Sequence, residues 1–129
     1  MMEESIMPRK KMDFNTVHEL ARDLPGVETG TTFGATSLKL RGRLLACAAM
    51  NRSAEPNTLM VRIGFDDRDA LLLSDPEIFY LTDHYLNYPC VLVRLACIHR
   101  GALKDLLAMA WGFVNSRTKT RKPRTKRMV

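Results

Sequence analysis

From residue 13 onward, Phe14, Val17, Leu20, Ala21 and Leu24 recur at steps of three and four, the spacing that lines one side of a helix. Asp13 is placed to cap its first turn, Thr16 with Glu19 offers an alternative capping pair, and Pro25-Gly26 stops it. After Val27 the period falls to two. In TSLKLRG, Leu38 and Leu40 alternate with Ser37, Lys39 and Arg41, as in a strand with one dry face. Gly42 marks a turn and RLLACAAM follows as a more buried strand. Beyond the polar loop NRSAEPN, the run TLMVRIG sets Leu59, Val61 and Ile63 against Met60 and Arg62. These segments predict a three-stranded antiparallel meander.

FDDRDALLLSD predicts a short helix, and its early Asp66, Asp67 and Asp69 suit the positive end of a helix dipole better than a metal cluster. Strands follow at 77–81 and 89–97. The closing helix runs from about Gly101 to Asn115, its stripe built from Leu103, Leu106, Leu107, Ala110, Trp111 and Val114, with Met109 and Phe113 widening it. Trp111 reads as a core anchor, not a platform for a base. The order α-β-β-β-α-β-β-α predicts a two-layer α+β domain, a mainly antiparallel sheet with helices on one face. Residues 1–11 read as a flexible leader, 12–116 as a single domain and 117–129 as a disordered basic tail.

Composition narrows the classes. A chain of 129 residues holds one domain with a modest core, and 46% hydrophobic with 26% charged residues suits a globular protein. The longest apolar stretch, LLACAAM, is far short of the roughly 20 residues that cross a bilayer. MMEESIMPRKK lacks the apolar core of an export signal, so a cytosolic protein without a membrane partner is expected. Cys47, Cys90 and Cys97 lack CxxC spacing and read as small buried hydrophobes. Cys97 and His99 have no further ligands at useful spacing, so neither metal nor cofactor is expected.

The net charge of +6 is unevenly placed. Residues 117–127 hold seven cations and no acid: Arg117, Lys119, Arg121, Lys122, Arg124, Lys126 and Arg127. Residues 12–116 hold ten basic and twelve acidic side chains, a balance of −2. The high pI of about 9.5 therefore belongs to the ends of the chain.

Several segments occur together in a fixed order: LPGVETGTTFG, SLKLRGRLLA, VRIGFDDRDALL, DPEIFYLTDHYLNYPCVLVRL and the last helix with its Trp. This set is similar to the MmcQ/YjbR family of small bacterial proteins, over roughly residues 13–114. The resemblance implies a compact α+β fold with an antiparallel sheet. It also implies the DNA-binding role commonly given to the family through a double-wing arrangement of hairpins. No catalytic residue comes with it. Phe33, Gly34, Asp83, His84, Tyr85, Tyr88 and Pro89 arrive as motif residues without roles.

TDHYLNYPC, residues 82–90, is the densest chemistry in the chain. His84 has the side chain of a general base, with Asp83 to orient it, Tyr85 or Tyr88 to donate a proton and Cys90 as a nucleophile. Adjacent residues of an extended segment point apart, however, and Cys90 opens an apolar strand. The preferred reading is a shaped loop over a sheet edge, with Pro89 feeding the next strand and the aromatic edges offering a contact surface.

If helices cover one face of the sheet, alternation sends Lys39, Arg41, Arg62 and Arg94 to the other, with Arg43 at the Gly42 hairpin tip. These five cations suit phosphates. They suit equally an exposed face that needs solubilising. The expected function is a non-catalytic DNA-binding module in which sheet cations position DNA, or another polyanion, and the tail adds affinity. The alternatives are a protein-interaction or homodimerisation domain that uses the open sheet face, and a small-ligand protein or enzyme built on His84, Tyr85 and Tyr88.

Overall fold

A computed structural model describes residues 13–32 and 35–119. The expected leader, Phe33, Gly34 and the sequence after Lys119 lie outside the described residues. Helix α1 (Phe14–Ala21) is capped as its sequence predicts: Asp13 is extended, and its carboxylate accepts from the Thr16 amide at 3.2 Å. Strands β1 (Val27–Thr32), β2 (Ala35–Leu40), β3 (Arg43–Ala48) and β4 (Thr58–Arg62) follow, then α2 (Phe65–Ser74), β5 (Phe79–Tyr80), β6 (Cys90–Arg94) and α3 (Arg100–Lys119).

The six strands form one sheet in the order β1-β2-β3-β4-β6-β5, every neighbouring pair antiparallel. The element order is α-β-β-β-β-α-β-β-α, one strand more than the meander expected from alternation. The added strand is β1. As an edge strand with Glu28, Thr29, Gly30 and Thr31 all exposed, it has no dry face to produce a period of two. Helix α3 runs four residues beyond the expected stop at Asn115.

The β2–β3 connection is a two-residue turn in which Arg41 (φ 52°) and Gly42 (φ 81°) both take left-handed backbone, closing the Leu40–Arg43 pair. Such turns match the right-handed twist of the strands they join. Just above, the register shifts between Leu38 and Lys39. Leu38 opposes Ala46 and Lys39 opposes Leu44, which leaves Leu45 as the extra residue of a bulge.

The principal core lies between the sheet and the helices. Val17 and Leu20 of α1 and Leu103, Leu107 and Val114 of α3 meet Leu38, Leu40, Val61 and Val93, all essentially removed from water. Each such side chain contributes about 1.5–3 kcal/mol relative to exposure. A second, smaller cluster of Met60, Cys90 and Leu92 lies on the opposite face, and Tyr85 caps it. Strands β4 and β6 are therefore buried on both faces, the reason their sequences read as almost continuous apolar runs.

Candidate functional site

The segment 82–89 folds as consecutive tight turns. The Tyr85 amide donates to the Thr82 carbonyl at 3.0 Å, and the Tyr88 amide to the Tyr85 carbonyl at 3.1 Å. The Tyr85 ring lies over Met60, Cys90 and Leu92, while its hydroxyl accepts from the Asn51 amide at 3.4 Å. Ser53 Oγ and Thr82 Oγ1 lie 2.7 Å apart. On the other side Arg68 of α2, only 8% exposed, donates through Nη1 to the carbonyls of Leu86 (2.9 Å) and Tyr88 (3.3 Å). Its guanidinium also lies 4.7 Å from the centre of the Phe65 ring and pairs with Asp69. Arg68 is the staple of this loop, and sequence reasoning missed it among three aspartates. Its spacing from Phe65 and Leu71, three residues either way, was the available signal.

The loop shapes two clefts of about 350 Å³ each, which share Leu44, His84 and Tyr85 as a common wall. One is floored by Met60 and Cys90 and bounded by Arg62, Tyr88 and Pro89. The other runs past Cys47, Met50 and Asn51. Tyr88 is 58% exposed, and the His84 and Tyr85 rings meet edge to face with centres 4.8 Å apart.

The five sheet cations do not project together from one uncovered side, which corrects the expected platform. Arg94 is a clamp. Its Nε and Nη2 each donate to Glu55 at 2.9 Å, Nη1 donates to the carbonyls of Pro76 and Glu77, and the guanidinium lies 4.3 Å from the centre of the Tyr80 ring. That hydrogen bonding holds the Glu55 carboxyl below the usual carboxylate range and raises Arg94 further. Lys39 does stand on the face opposite the helices, in register with Glu28 on one side and Leu44 on the other. Arg43 is exposed and shares the side of its partner Leu40.

Arg41 and Arg62 converge on α3 instead. Arg41 Nη1 donates to Asn115 Oδ1, tying the hairpin tip to the helix. Arg62 lines the first cleft, yet its guanidinium carbon lies 5.8 Å from the centre of the Phe113 ring. Phe113 also packs beside Gly64, and Trp111 Nε1 donates to the Pro25 carbonyl at 2.8 Å. The last stretch of α3 is thus held by three segments of the fold. Arg117 and Lys119 lie in its final turn, whereas Arg121, Lys122, Arg124, Lys126 and Arg127 lie outside the described residues.

For nucleophilic chemistry the loop is poorly equipped. Burial pushes the Cys90 thiol up to about 11, and also raises Cys47 and the Tyr85 phenol. A thiol so placed is protonated near neutral pH. Cys97 is exposed, against the expectation of a buried hydrophobe, in the turn that follows β6. Among the described residues no three His, Cys, Asp or Glu side chains are grouped to hold a metal ion. Among the same residues no helix is long and apolar enough to cross a membrane.

No family model matches the chain. Over 42 residues it is 43% identical to uncharacterised proteins of Mycobacterium bovis and Mycobacterium tuberculosis. The match covers 33% of this chain and 33% of each relative, so the chain spans about a third of the length of the curated relatives it matches. In three dimensions it is similar to the crystal structure of protein DR2400 of Deinococcus radiodurans, a DUF419 domain, with a TM-score of 0.65 at 17% identity. That likeness covers 91% of this chain and 86% of the other. What the two share is the fold, an antiparallel sheet carrying its helices.

Proposed function

We propose that the chain is a non-catalytic, cytosolic nucleic-acid-binding module of the MmcQ/YjbR kind that engages phosphates at one pole of the molecule. The pole is where the β2–β3 hairpin tip meets the end of α3. The observation that carries this reading is the Arg41–Asn115 hydrogen bond. It fixes the tip of a hairpin wing two residues before Arg117, where a run of seven cations begins. Arg43 sits exposed on the same tip, and Arg62 reaches the same stretch of helix through Phe113.

The test is titration of the full chain with a short duplex at several salt concentrations. The seven cations of the run alone account for a slope of log K against log salt of about −6, and Arg41 with Arg43 steepen it to about −8. Arg41→Gln together with Arg43→Gln is expected to weaken binding several-fold and to flatten that slope by about 2. If the pair changes neither quantity, and heparin competes as well as DNA, attraction resides in the cationic run alone and the pole has no role.

A second reading, self-association, is favoured by β1, an edge strand hydrogen-bonded on one side to β2 and exposed from Glu28 to Thr31. Sedimentation velocity over a wide concentration range decides it. A constant monomer mass removes it.

A further inference from the structure

We infer that the preferred nucleic acid is single-stranded, and that the cleft beneath the 82–89 loop takes one of its unpaired bases while the pole holds its phosphates. This deepens the proposed function and rests on it. A duplex shows a protein its phosphates and groove edges, whereas an unpaired strand also offers flat apolar faces that seek rings to stack on. The cleft of about 350 Å³ lies at the lower end of small-molecule sites. Tyr88 and His84 are exposed rings lining it, Met60 supplies an apolar floor with a polarisable sulfur, and Leu44 an apolar wall. The neighbouring cleft, across the wall of His84 and Tyr85, is of equal size and continues the track for a next base.

Charge points the same way. Neither cleft is lined by a carboxylate. Arg62 belongs both to the base cleft and, through Phe113, to the end of α3. Lys39, in register with Leu44, stands beside the cleft on the same face. A strand lying from the pole into the cleft therefore meets cations along its backbone and rings along its bases. The loop that forms the site is stiff, because Arg68 and Tyr85 fix it from two sides. Stacking onto a preformed surface loses little ordering entropy.

The experiment measures binding of the full chain to three fluorescent probes of equal phosphate number. They are an oligothymidine, the same backbone without bases, and a duplex, with oligouridine added to compare RNA with DNA. The base-bearing strands are expected to bind roughly tenfold or more tightly than the abasic backbone. Tyr88→Ala removes most of that margin. Tyr88→Trp restores it, with indole quenching beyond that of Trp111 on adding oligothymidine and none on adding the abasic strand. The exposure of Tyr88 makes both variants safe for folding. Equal affinity for oligothymidine and the abasic strand, or tighter duplex binding, overturns the base cleft. If Arg41→Gln with Arg43→Gln still weakens every probe in that case, the pole stands without the cleft. If no probe responds to that pair, the pole fails and the base cleft falls with it.

Discussion

Arg94 and Arg41 begin from the same sequence signal, an arginine opposite a run of apolar partners on a strand or at its end, and finish in opposite employments. Around Arg94 lie a carboxylate, two carbonyls at the end of α2 and a tyrosine ring, so every guanidinium nitrogen is used within the fold. Around Arg41 lie a tight turn and the end of a helix that leads into a cationic run. In the β4–β6–β5 half Arg94 is spent on holding loops, as is Arg68 of the neighbouring α2, while Arg62 at the end of β4 turns towards α3. The β2–β3 half uses one to set the pole. Alternation along a strand assigns a side chain to a face. What that side chain does there depends on which acceptors the loops bring within reach.

Removing the Arg68 staple should have the largest effect. Arg68→Met keeps much of the volume but leaves the carbonyls of Leu86 and Tyr88 without their donor. A loss of about 2 kcal/mol is expected from urea unfolding. The loop should also open locally, and a thiol reagent reports it. In the wild type exposed Cys97 is expected to react first, with buried Cys90 slow under the loop. In Arg68→Met, Cys90 labelling should accelerate and Cys97 labelling should not. Unchanged stability and unchanged Cys90 labelling would mean that Tyr85 alone holds the loop.

This pair of regions also measures what the sequence discloses. Helix α1, its Asp13 cap and a turn at Gly42 were legible because each is decided by neighbours within four residues, although Arg41, read onto the strand face, belongs to that turn. Strand β1 was not, since both its faces are wet. Strand β5 shrinks to Phe79–Tyr80 because the chain on either side of it is taken up in turns. At the site, the residues of the 82–90 loop were legible as a group, although the strand expected at 89–97 is confined to Cys90–Arg94 and Pro89 belongs to the loop. The meeting of Arg62 with that loop was not. It depends on the pairing of β4 with β6, where Arg62 opposes Cys90 across 27 residues of intervening chain. Long-range pairing has no local signature.

Arg41→Asn, at the opposite half of the sheet, should have a smaller effect on stability. Asparagine before glycine is a preferred occupant of this turn and tolerates left-handed backbone better than arginine. The turn should gain what the lost Asn115 contact gives up, leaving unfolding within about 0.5 kcal/mol of wild type. Polyanion binding should still weaken, because the hairpin tip loses a charge and its tie to α3. A variant that binds as wild type would show that Arg41, like Arg94, serves only the fold.

The smallest effect concerns the Arg94 clamp, and its sign follows from protonation. The Arg94 hydrogen bonds depress the Glu55 carboxyl below its usual range. A depressed carboxylate contributes stability that is fully present above its unfolded pKa, about 4.3, and is lost as pH falls through the lower folded value. Glu55→Gln should therefore lower the melting temperature slightly near pH 6. Near pH 3 the gap between variant and wild type should narrow, because wild-type Glu55 is then losing its charge too. Glu55 is half exposed, so salt should shrink the gap as acid does. A gap independent of both pH and salt would assign the clamp to Arg94 with its carbonyls and the Tyr80 ring, leaving Glu55 as a bystander on the rim of the loop.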